Sequence, residues 1–266
     1  MDIRTLKTVF FSPTGTTRAV AQAIARGIDL PSGETINITE ADTRKRFLQT
    51  SPDDLLIVAV PVYVGRVPEI LLEWLNAIHA RQTPAVCVVV YGNREFDDAL
   101  LELKDILTDC GCQPIAAAAF VGEHSFSSKE TPIAVARPDA GDLDKAVTFG
   151  RKIKAKLAAA PSADHMPALS VPGSYPYRKR EATLSADFIA ISDRCVQCGV
   201  CAAVCPVAAI DSEDSALRDE QKCILCCACI KGCPENARAM KAGNVKDVAV
   251  RLNEMCKPRK EPVYFL

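Results

Sequence analysis

The sequence predicts an α/β architecture: a doubly wound parallel sheet followed by a small α+β unit rich in cysteine. Three observations lead there. Short apolar runs alternate with amphipathic stretches from the N-terminus through Ala160, the order that builds a parallel sheet covered on both faces. Of thirteen cysteines, nine lie between Cys195 and Cys233. Between these regions, Pro167, Pro172, Gly173 and Pro176 mark an extended connector rather than a core element. At 266 residues, 48% of them hydrophobic, the chain is long enough for two domains with real cores. They are predicted at residues 1–160 and 186–266, with a linker at 161–185.

The elements follow in order. Residues 6–11 read as a buried strand centred on Val9, Phe10 and Phe11. After Ser12-Pro13-Thr14-Gly15-Thr16-Thr17 comes a helix from Thr17 to Gly27, with Val20, Ile24 and Ile28 on one stripe. Ile36 and Ile38 alternate through a second strand at 34–39. Asp42 or Thr43 caps a helix that includes Phe47 and Leu48. Residues 54–61, apolar from Leu55 onward, read as a continuous buried strand. Pro61 to Pro68 is a loop. A helix from Glu69 to Ala80 sets Trp74 on an apolar stripe with Leu71, Leu75 and Ile78, which makes the indole a core group. Residues 84–91 form a fourth strand, Gly92-Asn93-Arg94 a turn, Phe96 to Asp109 a helix and 113–121 a fifth strand. Gly122 to Phe126 is a loop, and a helix runs from Asp142 to Ala159. Near the C-terminus, Asn244 to Met255 reads as a helix with Val245, Val248 and Leu252 apolar.

Eight cysteines form two copies of C-x2-C-x2-C-x3-C-P: Cys195, Cys198, Cys201, Cys205-Pro206 and Cys223, Cys226, Cys229, Cys233-Pro234. The second copy keeps the register of the first throughout, Cys195 answering to Cys223 and Cys205 to Cys233. This is the ligand spacing of bacterial-type chains that hold two [4Fe–4S] clusters, in which the fourth cysteine of each run ligates the other cluster. Proline pushes the residue before it into an extended conformation, which turns Cys205 and Cys233 away from their own loops. The predicted sets are therefore Cys195, Cys198, Cys201, Cys233 and Cys205, Cys223, Cys226, Cys229. A zinc site favours four ligands in CxxC pairs or with histidine, which this tandem does not resemble. The repeat register selects Cys226 over its neighbour Cys227, because Cys226 is the position that answers to Cys198. Cys87 reads as a small core residue. Cys110 and Cys112 read as structural thiols or a redox pair, and Cys256 has no evident companion.

Charge and composition exclude other classes. A net charge of −1 gives no electrostatic footprint for nucleic acid. No apolar stretch approaches the ~20 residues of a membrane span. Nothing at the N-terminus resembles a signal peptide, so reduced thiols and clusters point to a cytoplasmic protein of an anaerobic host.

Ligands of such sheets bind beyond the carboxyl ends of the strands. The loop Ser12 to Thr17 joins a strand to a helix N-terminus, where free N–H groups attract an anion. Ser12, Thr14, Thr16 and Thr17 add hydroxyls, and Gly15 lets the backbone approach. No lysine follows the glycine, so this is not a nucleotide-hydrolysing phosphate loop, and G-x-G-x-x-G is absent. A capped helix start is the alternative reading.

Ser12-Pro13-Thr14-Gly15-Thr16-Thr17 resembles the phosphate loop of flavodoxins, and the five-strand pattern through residue 160 is similar to that fold. The whole chain resembles flavodoxin–ferredoxin fusion proteins. The resemblance implies FMN, strand order 2-1-3-4-5 and flavin contacts from three later loops. Pro61, Val62, Tyr63, Val64 and Gly65 match the first, and Tyr91, Gly92, Asn93 and Arg94 the second. Gly122 to Phe126, with Glu123, His124 and Ser125 as the contacts, resembles a further loop of the fusion proteins. Tyr63 or Tyr91 stacks on the flavin. His124 is a proton donor beside the flavin or an ordinary loop histidine, and Arg94 offsets flavin charge or is solvated.

The expectation is an electron-transfer protein that relays electrons between FMN, two [4Fe–4S] clusters and a redox partner protein. The alternatives are an FMN-dependent reductase of a small molecule fed by the clusters, and a redox sensor. As a free coil, the connector would reach ~25–30 Å, enough to face the flavin of the same chain or of a second copy in a homodimer. The acidic residues Asp211, Glu213, Asp214, Asp219 and Glu220 are a solvated turn or a docking patch, and the basic groups Arg178-Lys179-Arg180 and Lys257, Arg259, Lys260 are equally open.

Overall fold

A computed structural model describes residues 2–30, 33–162, 165–180 and 187–266. The elements are β1 (Thr5–Phe10), α1 (Thr16–Ile28), β2 (Gly33–Asn37), β3 (Asp54–Pro61), α2 (Leu72–Asn76), β4 (Thr83–Tyr91), α3 (Ala99–Asp109), β5 (Cys112–Val121) and α4 (Ala140–Ala159). They continue with β6 (Ile189–Ile191), α5 (Val200–Ala203), α6 (Ala228–Lys231), β7 (Arg238–Met240), α7 (Asn244–Met255) and β8 (Val263–Phe265). The main sheet runs β2-β1-β3-β4-β5-β8. Its first five strands are parallel, in the order implied by the resemblance to flavodoxins.

Period-two alternation sorts the apolar strands onto two cores. Leu56, Val58 and Val60 of β3 join Trp74, Leu75, Leu100 and Leu103 on one face. Leu55, Ile57 and Ala59 join Val20, Ile24, Phe149 and Ile153 on the other. On that second face α1 and α4 touch backbone to backbone. A Cβ on Gly27 would lie 2.8 Å from the Val147 carbonyl carbon, and one on Gly150 2.9 Å from the Gly27 Cα.

Several elements differ from the sequence expectations. Instead of a helix around Phe47 and Leu48 there is a 3-10 turn at Thr43–Lys45, and Phe47 is exposed. The helix expected over 69–80 is a 3-10 turn at Glu69–Leu71 followed by the short α2. One cause serves both. His79 donates its N–H to Leu48 O (2.9 Å) and accepts from Thr50 N–H (3.0 Å), so both segments spend main-chain groups on each other. Trp74 is buried as expected, and its indole N–H reaches Arg46 O at 3.0 Å.

The connector is fastened down. The Asp98 carboxylate takes the N–H groups of Ser174 (2.9 Å) and Arg178 (2.7 Å). Tyr177 donates its hydroxyl to Asp105 (2.7 Å), and Arg66 lies over the Tyr177 ring. Arg66 and Arg180 both bind the buried Glu102. Asp98 stays below its ordinary range although burial opposes this, because those two N–H groups and the Arg66 and Arg178 charges stabilise its anion. The expected boundary between residues 185 and 186 lies outside the described residues.

The C-terminal segment was expected to stay wholly with the second unit, but β8 returns to the main sheet and pairs antiparallel with β5. Tyr264 stacks on Phe149 at 5.1 Å and meets Phe120 at 5.6 Å. Tertiary packing of one aromatic decides this placement, which local periodicity does not show. Among the described residues no helix is long and apolar enough to cross a membrane.

The small unit carries the sequence repeat in its backbone. β6 and β7 pair antiparallel, and α5 and α6 occupy equivalent places in the two copies. Left-handed residues recur at matching positions: Gln197 and Leu225, Gly199 and Cys227, Ala208 and Asn236. Cys227, with φ 57°, therefore occupies the helix-start position that Gly199 fills in the first run. Its side chain is buried in the small core with Phe188, Ile189, Ile210 and Val245.

Candidate functional site

The carboxyl ends of β1, β3, β4 and β5 converge on one cleft. Its walls are Ser12, Pro13, Thr14, Thr16 and Thr17 from the first loop, Pro61, Val62 and Tyr63 from the second, Val90, Tyr91 and Gly92 from the third, and Gly122, Glu123, His124 and Ser125 from the fourth. Gly15 holds φ +88° at the start of α1, a conformation that costs glycine little. Ser12 Oγ accepts the Arg18 N–H at 3.0 Å, and Thr39 Oγ1 accepts the Ser12 N–H at 2.7 Å. Among the described residues no hydrogen bond uses the main-chain N–H of Thr14, Thr16 or Thr17. The head of α1 therefore presents donors toward the cleft, the chemistry of an anion seat.

Five residues predicted for this site lie off its walls, Gly15 among them. Asn93 is buried and donates its amide to Cys256 O (2.7 Å) and Pro258 O (2.9 Å), while its oxygen accepts from Lys260 N. It clamps the C-terminal tail. Arg94 pairs with Asp97. Val64 and Gly65 are the central residues of a tight turn closed by two 3.0 Å hydrogen bonds between Tyr63 and Arg66. Pro13 and Val90 line the cleft but were not among the predicted site residues, and Gly122, at the start of the matched loop, lines it too. Pro13 sits inside a loop the sequence singles out, whereas nothing local marks Val90. Both tyrosines line the cleft; Tyr91 is buried against Phe96, and Tyr63 is the more exposed of the two.

His124 closes one side. Its Nδ1 accepts the Phe126 N–H at 3.0 Å, which assigns the ring proton to Nε2. Burial, with the Lys231 and Arg94 charges, pushes its pKa down to about 4, so the ring is neutral near pH 7. Glu123 binds Lys231 at 2.7 Å. Burial opposes its ionisation, but Lys231 holds it below the ordinary range.

One chamber is lined by Cys205, Cys223, Cys226, Cys227 and Cys229 together with Ile210. We term Cys205, Cys223, Cys226 and Cys229 the inner set, and Cys195, Cys198, Cys201 and Cys233 the outer set. Cys205 thus faces the second run, away from its own loop. Its Sγ accepts the Ala209 N–H at 3.3 Å, and Cys233 Sγ accepts the Ala237 N–H at 3.2 Å, the same contact in the second copy. Burial pushes the Cys226 thiol up to about 12 and Cys229 to about 11, so a metal must displace these protons on binding. Among the described residues no three His, Cys, Asp or Glu side chains are placed to hold a metal ion; four thiols around a chamber suit a polynuclear cluster, whose ligands stand apart at its corners.

The cleft and the inner set adjoin. Tyr63 is half-buried, and its phenol is held well above the ordinary range first by burial and then by the thiols of Cys226 and Cys227. Phe126, just past the cleft, packs on the small core that includes Cys227 and Cys229. Ile224 packs on the main core, Lys231 grips Glu123, and Arg44 hydrogen-bonds Pro206 O. On the other side Cys198 is exposed, with Val196 beside it 65% exposed.

The family described as a 4Fe-4S binding domain matches residues 189–211, which contain all four cysteines of the first run. Among solved structures, a flavodoxin from the domain Archaea is similar over 58% of this chain and 99% of its own, at 16% identity and a TM-score of 0.40. An NADH:FMN oxidoreductase in its apo form is similar over 61% and 95%, at 21% identity and 0.40. Rubredoxin oxygen:oxidoreductase from the anaerobe Desulfovibrio gigas is similar over 59% and 37%, at 14% identity and 0.38. No curated protein matches. The sheet order, rather than these likenesses, assigns the first unit to the α/β class with order 2-1-3-4-5, and the second unit carries a 4Fe-4S binding segment.

Proposed function

We propose that this chain is an electron-transfer protein of the flavodoxin–ferredoxin fusion type. It holds FMN in the cleft, carries one [4Fe–4S] cluster on each cysteine set, and exchanges electrons with an external redox protein. The observation that carries this reading is the adjacency of the cleft and the cysteine-bearing unit, through the Glu123–Lys231 bridge and the packing of Phe126 on the small core that includes Cys229. When bound, FMN trades electrons in pairs or singly, whereas a cubane trades them singly. The head of α1 binds the phosphate by main-chain N–H groups and the hydroxyls of Thr14, Thr16 and Thr17. Tyr63 flanks the ring system, and His124 Nε2–H offers a proton on the cleft side. The inner thiols bind their cluster within a short path of that cleft, in the same chain, and the outer set meets solvent at Cys198.

Anaerobic reconstitution tests the reading. The expected product shows flavin absorbance and about eight iron per chain, and the flavin follows the clusters when these are reduced. A colourless product, or zinc in place of iron, overturns it.

A further inference from the structure

Arg238 is a buried charge that the structure leaves without a counter-anion among the described residues. It is 4% exposed, and no carboxylate among the described residues pairs with it. Its Nη2 donates to Ser215 O, while its Nη1 is buried with no hydrogen-bond partner among the described residues. A buried guanidinium without a counter-anion is costly, so the fold keeps it only where an anion stands. The repeat shows where. In the register that matches Cys205 to Cys233, Arg238 corresponds to Ile210. Ile210 follows Ala209, whose N–H binds Cys205 Sγ, and it lines the inner chamber. Arg238 follows Ala237, whose N–H binds Cys233 Sγ of the outer set. Ser215, which Arg238 grips, is held in turn by Gln197 Oε1 at 2.9 Å, and Gln197 lies between Cys195 and Cys198. The two halves therefore match in backbone and differ in charge: an apolar side chain at one cluster seat, a guanidinium at the other. The charge of Arg238 is felt as well at Cys229, a cysteine of the inner set.

We propose that Arg238 is the counter-charge of the outer cluster and raises its reduction potential above that of the inner one. This deepens the two-cluster reading and rests on it. A cluster held by four thiolates is an anion that gains further negative charge on reduction, and nearby charge and hydrogen bonds set its potential. The first electron to enter the chain then rests on the outer cluster, away from the flavin cleft and next to the exposed Cys198.

The test is an EPR-monitored redox titration of the fully loaded chain beside Arg238→Ile, which gives the outer seat the residue of the inner one, and Arg238→Lys. Arg238→Ile is expected to lower one midpoint more than the other, reducing the preference of the first electron for that cluster by about tenfold or more; Arg238→Lys retains most of it. The affected signal is the one disturbed in Cys198→Ala. Unchanged midpoints in Arg238→Ile, or a shift confined to the signal that survives in Cys198→Ala, overturn the proposal. Should Arg238→Ile fail to take up iron, pulsed EPR on the unaltered chain grown with isotope-labelled arginine decides: a nitrogen coupling is expected at the outer cluster, and its absence is decisive against the assignment. Iron and flavin contents of the unaltered chain come first. A deficit there sinks the proposed function, and this inference with it.

Discussion

Gly92 shows how little room the cleft leaves at the scale of one atom. A Cβ there would run into the His124 ring, 2.7 Å from its Cγ. Gly92→Ala should push His124 out of place and weaken FMN binding about tenfold, or ~1.4 kcal/mol, as read by flavin titration; unchanged affinity would remove Gly92 from the site. His124 itself makes a pH prediction. Its folded pKa, about 4, lies below the ordinary 6.5. Between those values the unfolded chain binds a proton that the folded one does not, so the stabilising contribution is complete above about pH 6.5 and is lost as pH falls through 4. Denaturant midpoints measured over that window should fall with pH, and His124→Gln should flatten the slope. Other residues were misread at this scale. Asn93 and Arg94 carry the polar, turn-forming character of a ligand loop, yet one clamps the tail and the other pairs with Asp97. Their partners come from distant sequence or from the loop's own folding, which composition does not encode.

Elements were legible where periodicity is long and failed where main-chain hydrogen bonds compete. β3 after Asp54 and β4 after Thr83 are apolar and are buried on both faces, as such runs must be. The helix expected over 69–80 breaks because His79 pairs with residues 48 and 50, a long-range exchange that no helical stripe announces. The contact between α1 and α4 was also invisible as a contact, although both glycines stand in the sequence. Gly150→Ala puts a methyl 2.9 Å from the Gly27 Cα and from the Ile28 nitrogen. Separating the two helices should cost about 1–3 kcal/mol, a lowered midpoint in thermal unfolding of the full chain; a neutral variant would mean that the helices slide apart freely.

Across the whole molecule, the cysteine-bearing unit is held at both ends. Its entry is fastened by Asp98, Asp105 and Glu102 at α3, and its exit returns through Asn93 to β8 at the edge of the main sheet. This double attachment makes the inner set a fixed neighbour of the cleft rather than a visitor on a tether. Lys231, between Cys229 and Cys233, locks that arrangement through Glu123. In the reconstituted protein, Lys231→Met should leave iron and flavin contents unchanged and slow flavin-to-cluster exchange about tenfold or more, since small misplacements carry large kinetic costs. Flash reduction of the flavin reads the rate, and an unaltered rate would strip Lys231 of a positioning role.

By itself the sequence determined two cysteine runs in register, an anion-binding loop ahead of a helix, and strands buried on both faces. Spacing, local dihedral preference and apolar periodicity are short-range properties, and these features need nothing else. Tertiary packing alone places Cys227 in the same chamber as Cys205, Cys223, Cys226 and Cys229, turns Asn93 onto the tail, and brings the last strand to the first sheet. It also decided that one buried arginine breaks the symmetry of the repeat. Each of these depends on which side chains meet across long stretches of chain, and burial and hydrogen-bond pairing settle that for the molecule as a whole.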